Sequence, residues 1–225
     1  MPPKAKVGRP RTAKERGERV SRILGTLDGM FPNASCALHH KNPWQLLVAT
    51  ILSAQCTDER VNKVTPGLFK KYPSIRDFAA VSQEELAGDI RSTGFFNNKA
   101  RSVRGAAQTI LRDFKGRVPR TMDELLTIPG VARKTANVVL GTAYGISSGV
   151  VVDTHVQRIA NRLDLTKQKD PVKIEKDLMK AAPEEKWILF SHQVILHGRG
   201  LCKARKPLCT DCPLNELCYA KDKSA

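Results

Sequence analysis

The sequence predicts an all-α protein. Three observations carry this expectation: apolar residues recur at helical spacing along most of the chain, several helix starts carry side-chain caps, and strand-like alternation is rare. From Ser21 on, the pattern is helical almost throughout. Ile23, Leu24 and Leu27 share one helix face. Asn42-Pro43 opens the next helix, since Pro is tolerated in a first turn. Trp44, Leu47, Val48, Ile51 and Leu52 then form its apolar stripe. Ser82 with Glu85 has the spacing of a capping box, and Thr121 with Glu124 repeats it. Between these, residues 97–114 read as a helix ended by Gly116. Asp153 can cap a helix whose stripe is Val156, Ile159, Ala160 and Leu163. Residues 173–179 and 187–197 suggest two more helices. The apolar run 149–152 is too short to argue for a sheet.

Residues 1 to about 18 read instead as a flexible basic arm. Met1 to Arg22 holds eight Lys or Arg and two acids, and Pro2, Pro3, Gly8, Pro10 and Gly17 discourage regular structure. The stretch Val7-Gly8-Arg9-Pro10-Arg11 has a short likeness to a minor-groove AT-hook, for which a solvated tail is the preferred reading.

Composition narrows the function. The chain has 225 residues, 41% hydrophobic and 27% charged, ordinary for a soluble globular protein. No apolar run is long enough to span a membrane, and the N-terminus lacks the apolar region of a secretory signal. The protein is therefore expected to stay inside the cell. A net charge of +16 favours a polyanionic partner, because neutralised phosphates release condensed counterions. Six cysteines are unevenly placed: Cys36 and Cys56 lie early, while Cys202, Cys209, Cys212 and Cys218 cluster near the end. In an intracellular chain such clustering argues for metal rather than disulfides.

Three segments bear chemistry. Residues 125–137, Leu-Leu-Thr-Ile-Pro-Gly-Val-Ala-Arg-Lys-Thr-Ala-Asn, end one helix, turn on Pro129-Gly130, and start another with Lys134 in its first turn. Gly130 permits a left-handed or closely approached backbone, and N–H groups at the new helix start can hold a phosphate. An ordinary helix–helix turn is the bland alternative. The second segment, residues 151–158, delivers Asp153 to a helix start. Taken alone, it reads as a plain N-cap. The third is Cys-x6-Cys-x2-Cys-x5-Cys. Only Cys209 and Cys212 form a short-spaced pair, unlike the two pairs of a zinc ribbon, and four thiolates on one loop suit a [4Fe–4S] cube. A zinc site and free thiols remain the alternatives. Lys203, Arg205 and Lys206, between the first two cysteines, would make a phosphate-facing finger.

Taken together, these residues resemble the endonuclease III family of helix-hairpin-helix DNA glycosylases. The resemblance runs from about residue 20 to 220. It is carried by residues 52–58 (Leu-Ser-Ala-Gln-Cys-Thr-Asp), Gly94 with Asn98-Lys99-Ala100, residues 128–140, Val152-Asp153-Thr154-His155, Leu196-His197-Gly198-Arg199 and the four cysteines. It implies two helical domains with a DNA-binding cleft between them. One is a six-helix module at about residues 36–146 containing the hairpin. The other joins residues 19–35 to 147–225 and carries the [4Fe–4S] cluster on Cys202, Cys209, Cys212 and Cys218. By the same resemblance Lys134 is the nucleophile and Asp153 the catalytic carboxylate. Gln55 fills the gap left by a flipped nucleotide, and Thr93 and Phe95 lie on the loop that wedges into the opposite strand. Gly130, Ala132 and Arg133 join the basic finger as DNA contacts. Two positions depart from the family pattern: Ala132 stands where the hairpin usually has a second glycine, and Phe95 is larger than the aliphatic residue expected on the wedge.

The activity so implied is base-excision repair: removal of oxidised pyrimidines, then β-elimination at the abasic site through a lysine Schiff base. Its partner is double-stranded DNA with damaged bases or abasic sites, and the protein is expected to be a monomer in a bacterial cytoplasm with the nucleoid. A flipped base exposes the sugar to Lys134, which attacks as a neutral amine. A helix N-terminus, nearby Arg133 and partial desolvation favour that form. An adenine-specific mismatch glycosylase is the nearest rival, but it lacks a lysine at the position of Lys134 and adds a C-terminal domain, whereas here the chain ends seven residues after Cys218. A non-enzymatic DNA clamp with a zinc knuckle would not need Lys134 and Asp153.

Overall fold

The structure, a computed structural model, describes residues 8–224. Among these residues it is helical with no strand. In chain order the helices are α1 (Ala13–Met30), α2 (Pro43–Leu52), α3 (Asp58–Lys71), α4 (Ile75–Ala80), α5 (Gln83–Asp89) and α6 (Phe96–Asp113). They continue with α7 (Met122–Leu126), α8 (Arg133–Tyr144), α9 (Thr154–Arg162), α10 (Pro171–Ala181) and α11 (Trp187–Gly200). Three short 3-10 turns lie at Arg91–Thr93, Glu184–Lys186 and Asn215–Leu217. The chain divides into two compact units: residues 36–148, and residues 1–35 with 149–225. No described helix is long and apolar enough to cross a membrane.

In the unit of residues 36–148, α2 sits at the centre. Asn42 caps it by accepting from the Gln45 N–H, with Pro43 in the first turn, as expected. Eight of its residues are buried, so its burial is all round rather than the single stripe read from spacing. It packs against α3, α6 and α8. Phe78 of α4 joins Trp44 edge-on at 5.4 Å, with Tyr72 at 5.3 Å. Helices α3 and α4 are two that apolar spacing does not single out within the generally helical pattern. The reason for α3 is a thin stripe, with only Val61, Thr65 and Leu68 buried and Pro66 inside the helix. Ser82 and Thr121 do cap α5 and α7, accepting from the N–H groups of Glu85 and Glu124.

In the other unit, one apolar core joins four helices. It comprises Ile23 and Leu27 of α1, Val156, Ile159 and Ala160 of α9, Ile174 and Leu178 of α10, and Phe190 and Val194 of α11. Each such side chain is worth roughly 1.5–3 kcal/mol of burial. Helix α1 begins at Ala13, not near Ser21, which shortens the expected arm. Thr12 and Glu15 form a reciprocal capping box, and Arg19 is buried, donating to the carbonyls of Leu163 and Leu217. Arg19 and Arg9 both stack on Tyr219, whose hydroxyl donates to the Gly8 carbonyl. Residues 8–18 are thus ordered by charge and aromatic contacts that no periodicity reports. Residues 1–7 of the expected arm lie outside the described residues.

Candidate catalytic and nucleic-acid site

The hairpin between α7 and α8 is shaped by Gly130, whose φ is +78°. A Cβ there would lie 2.5 Å from Ser102 Cβ and 2.9 Å from its Oγ, so the turn needs glycine twice over: for its conformation and for its approach to α6. Ala132 is different. Its φ of −94° and ψ of 170° are extended values open to any residue, and its methyl is exposed. Alanine in place of the family's glycine therefore introduces no strain. Ala132 is the N-cap of α8 yet contributes no side-chain cap, which leaves the helix start to other acceptors. Arg133 is half-buried, and Lys134, second in α8, is exposed while Thr135 and Ala136 behind it are buried.

The same unit carries two exposed loops that the sequence marked. Gln55 follows α2 and has φ 51°; Phe95 precedes α6 and has φ 48°, with 61% of its surface exposed. Both are non-glycine residues in the left-handed region. Thr93, expected beside Phe95 on the DNA face, is only 2% exposed and its hydroxyl donates to the Ile90 carbonyl. It anchors the loop from beneath rather than presenting a side chain.

Asp153 belongs to the other unit. Its Oδ1 accepts from the N–H groups of both His155 and Val156 at 2.8 Å, so it is the N-cap of α9 and its orientation is fixed. Val151, two residues earlier, is held by its N–H donating to Ser191 Oγ at 3.0 Å.

The four clustered cysteines line one cavity together with Ile159, Arg162, His197 and Leu214. Cys212 Sγ lies 3.7 Å from His197 Nε2. Burial pushes the Cys212 thiol up to about 11, and the other three cysteines add to that rise, as expected of thiols that share a small space. Among the described residues no three His, Cys, Asp or Glu side chains converge on one point, as a mononuclear ion would require. A cube needs no such convergence, because each cysteine takes its own iron. The residues present fit that group.

Two arginines of α9, to which spacing alone assigned no role, brace the basic finger. Arg158 donates to the carbonyls of Cys202 (2.9 Å) and Gly198 (3.0 Å). Arg162, buried, donates to the carbonyls of Lys203 (2.7 Å) and Ala204 (3.2 Å) and to Cys202 Sγ (3.3 Å). A Leu208 N–H to Leu201 carbonyl bond closes the loop. Lys203, Arg205 and Lys206 are all exposed on it. The available signal was the i, i+4 spacing of two cations beside an apolar helix stripe.

A family model described as "HhH-GPD superfamily base excision DNA repair protein" matches residues 48–184, and one described as "Iron-sulfur binding domain of endonuclease III" matches residues 202–218. The class is thereby set: a helix-hairpin-helix protein of base-excision DNA repair with an iron–sulfur domain. The chain is 55% identical to endonuclease III of Synechocystis, over 92% of this chain and 94% of that one. It is 46% identical to endonuclease III of Bacillus subtilis over the same shares. A solved trapped covalent endonuclease III–DNA intermediate, an estranged-adenine complex, matches with a TM-score of 0.87 at 46% identity, covering 90% of this chain and 95% of that one. The chain belongs to the endonuclease III family. It is a DNA-repair enzyme, a DNA glycosylase and abasic-site lyase, and its cofactor is the iron–sulfur cluster expected above as [4Fe–4S].

Proposed function

We propose that this enzyme removes oxidised pyrimidines from double-stranded DNA and then cuts the strand at the abasic site, acting as a cytoplasmic monomer on the nucleoid. Lys134 is the nucleophile and Asp153 the carboxylate that supports it. The observation that carries the reading is the placement of Lys134: an exposed amine in the first turn of α8, directly after the Gly130 hairpin. Phosphate held at that helix start would bring the sugar of the same nucleotide within reach of the amine.

The chemistry follows from these groups. Extrusion of the base costs roughly a few kcal/mol, less for a ring-saturated pyrimidine that stacks poorly. Gln55 offers hydrogen-bonding ends to the orphaned partner base, and Phe95 a flat face for stacking. Lys134 Nζ bonds to C1′ as the glycosidic bond breaks and the base leaves with the electron pair. The positive charge on the sugar is stabilised by Asp153, whose carboxylate also takes part in moving protons. The amine and the opened sugar then form an imine. The imine acidifies the 2′ proton, whose loss breaks the C3′–O bond. Cys202, Cys209, Cys212 and Cys218 would hold the cluster, which would brace the loop whose Lys203, Arg205 and Lys206 would meet phosphate. The covalent state named for the similar endonuclease III–DNA structure supports a nucleophile of this kind.

The test compares two variants. Lys134→Gln removes the amine and is expected to abolish the adduct trapped by borohydride, while binding to abasic DNA survives. Asp153→Asn keeps a cap for α9 and is expected to slow base excision by ~100-fold or more, leaving slow adduct formation at a preformed abasic site. Full trapping by the Lys134→Gln protein would remove the central assignment.

A further inference from the structure

Lys99 is an unusual residue to find inside a helical unit. It lies in the first turns of α6, is only 4% exposed, and has no carboxylate among its bonded partners. Its ammonium donates instead to two backbone carbonyls: Leu52 at 2.8 Å and Thr93 at 2.7 Å. Leu52 is the last residue of α2, and Gln55 follows three positions later. Thr93 ends the short 3-10 turn, and Phe95 follows two positions later. One buried cation therefore joins the bases of the two loops that carry the exposed Gln55 and Phe95.

The arrangement has a cost that a space-filling role does not explain. Burial pushes the Lys99 amine below its ordinary value, with Cys56 opposing that shift. An apolar side chain would fill the slot without desolvating a charge, but it would leave two carbonyls without this donor. The loops also store strain. Gln55 and Phe95 both hold left-handed backbone conformations, at about 1–2 kcal/mol each for a residue with a Cβ. Such conformations persist only where their surroundings over-determine them. The cation also sits at the C-terminal end of α2, where the helix dipole favours it.

We propose that Lys99 is a positioning residue for base extrusion: its bonds to the Leu52 and Thr93 carbonyls fix the Gln55 and Phe95 loops at one separation, so that both side chains enter the opened base pair together. This rests on the insertion roles given above to Gln55 and Phe95. Lys99 touches neither sugar nor base. Its contribution is to the opening of a paired lesion and not to the steps that follow.

The experiment uses iron-loaded full-length enzyme in single turnover on three duplexes: a ring-saturated thymine paired with adenine, the same lesion in a bulge, and a preformed abasic site. In Lys99→Met, excision of the paired lesion is expected to fall about 10- to 100-fold, the scale of an ångström-sized misplacement, while the bulged lesion and the abasic site change little. Added to Gln55→Ala or Phe95→Ala, the substitution should cost much less than it does alone, because the loop it positions has already lost its side chain. Lys99→Gln, which keeps N–H donors in the slot, is read by the same ratios and is expected to lose less; it serves also if Lys99→Met does not fold. Equal losses on all three substrates, an unchanged paired-to-bulged ratio, or full additivity with the loop variants would each overturn the proposal. Gln55→Ala and Phe95→Ala enzymes with undiminished excision of the paired lesion would instead sink the insertion reading on which it rests.

Discussion

Replacing Gly130 with alanine tests whether the hairpin geometry is what the protein depends on. The substitution adds one methyl in an exposed turn, so a contact-free view of the turn expects little. The structure expects two separate penalties. A φ of +78° costs a residue with a Cβ about 1–2 kcal/mol. The added carbon would also lie 2.5 Å from Ser102 Cβ and 2.9 Å from Oγ, with the Ser102 Cα at 3.5 Å. The Oγ can rotate away, but the Cβ is fixed to the α6 backbone, so hairpin and helix must move apart, at about 1–3 kcal/mol. The sum is about 3 kcal/mol, which lowers Tm by roughly 6–12 °C in a chain of this size. The displaced turn is also the one that leads into Lys134, so affinity for undamaged duplex should fall with its salt dependence reduced. Thermal unfolding and salt-titrated binding read the two effects. Gly130→Ala combined with Ser102→Gly should recover the steric share and leave the conformational one. A single variant with unchanged Tm and unchanged salt slope, or a double variant no more stable than the single, would refute the reasoning.

Two further outcomes are expected. Asp28 ties α1 to α11, its Oδ1 accepting from Gln193 Nε2 at 2.9 Å and its Oδ2 from Lys186 Nζ at 2.8 Å. The Gln193 bond first, and then Lys186, hold its carboxyl below the ordinary 3.8. Because the folded value is the lower one, the contribution is fully present above pH 3.8 and is lost as pH falls through the folded value. Asp28→Ala should therefore cost about 1 kcal/mol at neutral pH and progressively less as pH falls below 3.8, by urea unfolding; a cost that does not shrink with acidification would contradict the pairing. The purified protein should be yellow-brown with about four irons per chain, and Cys212→Ser should lower iron content and weaken duplex binding through the disordered finger. Stoichiometric zinc without iron, checked by metal analysis, would count against the cube.

The sequence alone determined the helical class, most helix starts and the four-cysteine loop. These are local matters: a cap needs a side chain and an amide three residues on, as at Asn42, Ser82, Thr121 and Asp153. A cluster ligand set needs only spacing. The family was legible too, because its motifs are contiguous strings. Only the tertiary structure decided which parts of those strings face outward. Thr93 and Phe95 are two residues apart on one motif, yet the first is buried and the second exposed, since the chain turns through left-handed conformations at Gly94 and Phe95. The order of residues 8–18 came from Arg19 reaching carbonyls at Leu163 and Leu217, far along the chain. Lys99 read as part of a motif, and its bonds to Leu52 and Thr93 gave it a purpose. Periodicity reports which face of a helix is apolar. It cannot report which distant carbonyl a buried cation will meet, because that distance is set by how helices pack and not by the order of residues along any one of them.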